Sequence, residues 1–223
     1  MLRLDVRKIS SMPHSETLDR SFLNEAEENR FLQIKFAHRR EQFFAGRMLA
    51  RQLLCHQVGG AISDWSISAE IGSKPIIVGH SNLHISLSHS NDYVACALAD
   101  HPIGIDLECE KENRATNDLI AFICNETEQT LLRALSQRQR QSHFIGLWTI
   151  KEAWLKQREV AFDFGRLRSL EWQICNQDEA DIVTWRFGSE NFALSLASHH
   201  PNTAEVNWPA LCAPDRTEWR RFL

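Results

Sequence analysis

Seven consecutive residues, Tyr93-Val94-Ala95-Cys96-Ala97-Leu98-Ala99, are apolar or small, and this run constrains the fold most tightly. A strand sends successive side chains to opposite faces, so a stretch apolar at every position is covered on both. It predicts a strand inside a sheet, not at its open surface. Shorter β-like pieces surround it at 65–68, 75–78, 83–88 and 103–108. Ahead of them, residues 16–36 mix charged and apolar side chains at helical spacing. A second helix is predicted over 39–58, where Phe43, Phe44, Ala50, Leu53, Leu54 and Val58 recur with helical period until Gly59 and Gly60 stop them.

A polar segment, 110–118, separates this half from one that begins with a helical pattern at 119–135. A polar loop at 136–142 leads into a helix predicted over 143–158. Three strand-like segments follow, 170–175, 182–187 and 192–197. In the last two, Val183, Trp185, Phe187, Phe192, Leu194 and Leu196 alternate as in half-buried antiparallel strands. Each half reads as helices followed by a strand meander, although no residue-level repeat is legible. The expected fold is α+β, with two similar α/β lobes at 1–108 and 109–223.

Composition excludes some functions. At 223 residues, 43% hydrophobic and 24% charged, the chain has the balance of an ordinary globular protein. Its net charge of −4 argues against wrapping nucleic acid or lying on an anionic membrane. No apolar run approaches a bilayer-spanning length, and the first twelve residues alternate charged and apolar side chains unlike a secretory signal. Cys55, Cys96, Cys109, Cys124, Cys175 and Cys212 form no C-x-x-C pair, so buried, reduced thiols in a cytoplasmic protein are expected.

In Ile103-Gly104-Ile105-Asp106-Leu107-Glu108, the alternation puts Gly104, Asp106 and Glu108 on one strand face. Two carboxylates about 7 Å apart along a strand can converge on a hard cation. Mg²⁺ suits such a site, and Gly104 leaves room beside it. A D-x-E by itself is more often a solvated strand edge. In Trp148-Thr149-Ile150-Lys151-Glu152-Ala153-Trp154-Leu155-Lys156, Glu152 and Lys156 lie one turn apart at the border of an apolar stripe made by Phe144, Leu147, Trp148, Trp154 and Leu155. Alone, they would be a surface pair. Lys151 falls inside the apolar arc, so it must snorkel out or meet a carboxylate. Leu87-Ser88-His89-Ser90 ends a strand in small hydroxyls and an imidazole, and Gly72-Ser73-Lys74-Pro75 sets a cation in a turn; both suit phosphate.

Taken together and in order, G-S-K-P, S-H-S, G-I-D-L-E and W-T-I-K-E-A-W-L-K resemble the motif set of the 4'-phosphopantetheinyl transferases of the type that activates surfactin synthetase. The resemblance runs over about 39–156. It implies two α/β lobes in a pseudo-twofold arrangement with coenzyme A between them. By position, Asp106, Glu108 and Glu152 resemble the metal-binding acids, Lys156 the lysine on the transferred phosphate, and Lys74, Ser88 and His89 the coenzyme A phosphate contacts. Ile85 and Ser86 replace the phenylalanine and asparagine often found before S-H-S. Gln42 stands where an arginine often contacts coenzyme A, with Arg47 as candidate replacement.

The resemblance implies a cytoplasmic, monomeric enzyme that uses Mg²⁺ and coenzyme A to modify a serine of an apo acyl or peptidyl carrier protein. Asp106, Glu152 and Lys156 would be catalytic, Glu152 as metal ligand or as base. Neither nucleic acid nor membrane is an expected partner. Two rivals are a metal-dependent nuclease, disfavoured by the acidic charge and the helical Glu152 and Lys156, and a non-catalytic carrier or coenzyme A binder of the same fold. Between Leu131 and Trp172 there are eight basic and four acidic residues, a local excess of +4, which suits an acidic carrier surface.

Overall fold

The apolar run forms β3 (Tyr93–Ala99), buried at every position. It lies between β2 (His84–Ser90) and β1 (Leu2–Lys8), antiparallel to both, and β1 pairs in parallel with β8 (Glu205–Asn207). The computed structural model describes residues 1–16, 19–68, 70, 73–110, 116–188, 191–208 and 214–221. Cys212 and Gly72 lie outside them. The other five cysteines are free.

Two compact units divide the chain, Met1–Ile103 with Ala204–Ala210, and Gly104–Thr203 with Leu211–Leu223. In the first, α2 (Ala37–Gln57) packs on the sheet, with Ala45, Leu49 and Leu53 in one apolar cluster with Ile85, Val94, Cys96 and Leu98. Only 25–33 of the helix expected at 16–36 forms, as α1 (Glu25–Gln33), because Asn24 caps it: its side chain accepts from the Glu27 amide while Glu27 reaches back to the Asn24 amide. The pieces expected at 65–68 and 75–78 meet in a single bridge, Ile67 to Ile77.

In the second unit, β4 (Gly104–Cys109), β5 (Trp172–Ile174), β6 (Ile182–Phe187), β7 (Phe192–Ala197) and β9 (Asp215–Arg221) form an antiparallel sheet ordered β4-β7-β6-β9-β5. Ladder pairing with β7 puts β4 in this unit, so the division falls at 103/104, whereas the sequence placed it after 108. The helical pattern at 119–135 splits at Asn125 into α3 (Thr116–Ile123) and α4 (Glu126–Arg133), because Asn125 and Glu128 form a second capping box. The long helix α5 (Gln137–Arg158) starts within the presumed polar loop; its first turn is exposed and has no apolar stripe to reveal it. A short α6 (Phe164–Ser169) follows. Among the described residues no helix is long and apolar enough to cross a membrane.

A residue-level repeat does exist, and the ladders expose it. Asp5 on β1 faces Cys96, three residues into β3; Asp106 on β4 faces Ser195, three residues into β7. The long helices then align as Phe44 with Phe144, Gly46 with Gly146, Arg51 with Lys151 and Gln57 with Gln157. Asn24-Glu25-Ala26-Glu27 matches Asn125-Glu126-Thr127-Glu128 as helix cap, and Asn24 donates to the Ile67 carbonyl at 2.9 Å as Asn125 does to that of Leu170 at 3.4 Å. In each unit the capping glutamate meets a fully buried cation of the long helix. Lys151 has its charge met by Glu128 at 2.6 Å, and it also donates to the Ile123 and Leu167 carbonyls, each at 2.9 Å.

Candidate active site

Strand β4 and helix α5 approach so closely that a side chain at one point is excluded. A Cβ on Gly104 would stand 2.0 Å from the Ala153 carbonyl oxygen and 2.4 Å from the Gln157 nitrogen. The room beside Gly104 is therefore occupied by the α5 backbone, and glycine is what lets the strand lie against the helix. That contact places Asp106 and Glu108 within electrostatic reach of Glu152 and Lys156.

Lys156 Nζ donates to Asp106 Oδ1 at 2.7 Å; the carboxylate is buried and the lysine half-exposed. Glu152 is half-buried on the same helix border. Its carboxyl is pushed up to about 7, first by burial, then by the negative charge of Asp106, with Glu108 adding to this and Lys156 opposing it. Three oxygen-only donors that repel one another suit a hard cation, which would relieve that repulsion. Among the described residues, no three such groups already stand together at metal-binding geometry.

The repeat puts Asp5, Arg7, Gln52 and His56 where the second unit has Asp106, Glu108, Glu152 and Lys156. They line a cavity of about 520 Å³, and Arg7 Nε lies 3.0 Å from Asp5. One acid remains of three, with an arginine already on it, so the first copy lacks the carboxylate set of the second.

Lys74, Ser88, His89 and Arg47 all belong to the first unit. Ser88 is buried on one face of β2, and His89, next along the strand, points to the other. Lys74 is half-buried in the loop closed by the Ile67 bridge. Arg47 is drawn inward: it is 8% exposed, 3.5 Å from Glu27 and stacked over the Phe43 ring. The guanidinium that meets His89 is that of Arg39, 3.3 Å from Nδ1. Gln42 holds it there, accepting from Arg39 at 3.0 Å and donating to the Asn91 carbonyl at 2.9 Å. Sequence reasoning passed over Arg39, although it lies one helical turn before Gln42 and so on the same face.

The 4'-phosphopantetheinyl transferase superfamily model matches residues 102–209. This chain is 32% identical over 128 residues to a 4'-phosphopantetheinyl transferase of Bacillus subtilis, covering 57% of this chain and 55% of that protein. It is 35% identical over 163 residues to the 4'-phosphopantetheinyl transferase HetI of Nostoc sp. (strain PCC 7120), covering 71% and 67%. With the 4'-phosphopantetheinyl transferase AcpT of Escherichia coli (strain K12), it shares 28% over 177 residues, covering 76% and 83%. The match spans about half the length of the Bacillus relatives.

Proposed function

Because this chain belongs to the 4'-phosphopantetheinyl transferase superfamily, we propose that it moves the 4'-phosphopantetheine arm of coenzyme A onto a serine of an apo acyl or peptidyl carrier protein. The reaction uses Mg²⁺ and releases adenosine 3',5'-bisphosphate. One observation carries the reading: Asp106 and Glu108 on β4 act electrostatically on Glu152 of α5, whose carboxyl is raised to about 7, with Lys156 beside them.

The carrier serine oxygen bonds to the β-phosphorus as the bond from phosphorus to the departing nucleotide oxygen breaks. Such a transfer asks mainly for alignment and for positive charge where negative charge grows. Glu152, on the α5 border with Lys156 and within electrostatic reach of Asp106 and Glu108, takes the serine proton as general base. Lys156 turns from Asp106 to donate to the transferred phosphoryl oxygens. Asp106 and Glu108, with Glu152 beside them, would hold Mg²⁺, which supplies charge to the pyrophosphate oxygens. Lys74, Ser88 and His89 hold coenzyme A phosphates, with Arg39 beside His89 in the role first assigned to Arg47.

The test mixes the protein, Mg²⁺ and coenzyme A with a panel of apo-carriers and weighs each carrier by mass spectrometry. At least one carrier gains a single phosphopantetheine, and Asp106→Ala removes that gain. Coenzyme A binding with no carrier modified would overturn the reading in favour of a non-catalytic binder.

A further inference from the structure

Two hydrogen bonds leave Arg39 from the same atom. Nη1 donates to Gln42 Oε1 at 3.0 Å and meets His89 Nδ1 at 3.3 Å, and a guanidinium has no lone pair with which to accept. His89 Nδ1 is therefore the acceptor, and the neutral imidazole carries its proton on Nε2. Both Nη1 hydrogens are spent on the protein. The other edge of the guanidinium, Nε with Nη2, donates to none of the described residues. That edge carries the parallel pair of N–H groups that takes a phosphate bidentately.

Gln42 sets this pose. Arg39 is exposed, and a long side chain held in one geometry gives up rotamer freedom, so something fixed must hold it. Gln42 is 4% exposed, and its Nε2 donates to the Asn91 carbonyl at 2.9 Å. Asn91 takes φ 48° in the two-residue turn that joins β2 to β3, two positions beyond His89. The amide thus ties α2 to the end of the strand that carries His89, and fixes where Arg39 can stand between them. The repeat puts Gln139, Ser142 and Arg186 at the positions of Arg39, Gln42 and His89, so the arrangement belongs to the first copy alone.

We infer that Gln42 is a positioning residue: it holds Arg39 so that Nη1 fixes His89 in the Nε2–H form, which offers coenzyme A phosphates a neutral imidazole N–H and the Nε–Nη2 edge of Arg39. This rests on the reading of His89 as a phosphate contact. Gln42 stands where the resemblance expects an arginine on coenzyme A. The chain supplies the guanidinium one helical turn earlier and uses the amide to aim it.

The ring nitrogens of His89, assigned with His89→Ala, are observed by 15N NMR well above the ordinary histidine pKa of about 6.5. A ring nitrogen that bears a proton and one that does not resonate far apart. The unaltered chain shows the proton on Nε2. Gln42→Met keeps the side-chain volume and removes both of its hydrogen bonds; Arg39→Met acts on the exposed side and tests the same link without touching the core. Each moves the ring signals toward the average of an unconstrained imidazole, and each weakens coenzyme A binding by calorimetry about tenfold, as expected for one lost hydrogen bond to a charged group. A proton on Nδ1, ring signals unmoved in folded Arg39→Met, or unchanged coenzyme A affinity in both variants would each overturn the inference. His89→Ala separates it from the reading beneath it. If that variant binds coenzyme A as tightly as the unaltered chain, the phosphate role of His89 is itself wrong; if it binds weakly while Gln42→Met and Arg39→Met leave the ring signals unmoved, His89 keeps its role and only the positioning falls.

Discussion

Gly104 and Glu152 carry the site at the scale of single residues. Gly104→Ala drives a Cβ into the α5 backbone, which cannot turn away as a side chain would, so a loss of at least about 3 kcal/mol, the upper end for overpacking, is expected. Denaturant unfolding measures it, and an unchanged midpoint would mean that β4 and α5 do not need this contact. Glu152 makes a claim about pH. Its carboxyl is raised from an ordinary 4.5 to about 7, so between these values the folded chain holds a proton that the unfolded chain has released. Stability of the metal-free protein therefore falls as pH rises from about 4.5 to about 7 and levels off above, and Glu152→Gln removes that part of the slope. Melting curves of both proteins in chelator, recorded across this window, should diverge; parallel curves would deny the shift. For the proposed reaction, the same substitution lowers kcat by about 10²–10⁴-fold, the range for a lost general base, with coenzyme A binding largely kept.

At the scale of an element, α5 joins structure to chemistry. One side buries Lys151, whose charge is neutralised by Glu128 and whose remaining donors end on two carbonyls. Burial pushes the Glu128 carboxyl up, and Lys151 pulls it back. Lys151→Ala leaves that carboxylate buried without its cation, at a cost of about 3–5 kcal/mol in unfolding free energy. Lys151→Ala with Glu128→Gln recovers part of this loss, and failure to recover any would show that the lysine acts through packing instead. The polar border of the helix, one residue on, carries Glu152 and Lys156. Near its start, Arg140 donates to the Leu132 and Leu135 carbonyls at 3.0 and 3.2 Å and so closes the C-terminal end of α4. Arg140 therefore helps to hold the end of α4 in place.

At the scale of the whole molecule, the basic excess at 131–172 remains the proposed carrier surface. It is joined by exposed aromatic rings, Phe122 against Phe164 and Phe162 against Phe164, at 5.7 and 5.0 Å between centroids. Since Arg140 caps α4, the reversal that tests docking is Arg133→Glu with Arg138→Glu, both exposed. KM for an acidic carrier rises about tenfold at low salt, while KM for coenzyme A stays, because surface charges act on association; an unchanged carrier KM moves docking elsewhere. The sequence by itself determined β3, β6 and β7, whose apolar or alternating patterns are set by the period of the strand, and its ordered motifs singled out Asp106, Glu108, Glu152 and Lys156 as candidates. It required Lys151 either to snorkel out or to meet a carboxylate, and the structure decided for the carboxylate of Glu128. Tertiary structure decided the rest. The polar first turn of α5 has no stripe to announce it, and β4 joins the second unit only through its ladder to β7. The repeat emerged only once ladders aligned Asp5 with Asp106, because duplicated positions keep burial and hydrogen-bonding roles while their side chains diverge. Long-range contacts alone assigned Arg47 to Glu27 and Arg39 to His89, since the strand segment that carries His89 lies far along the chain from the helix that meets it.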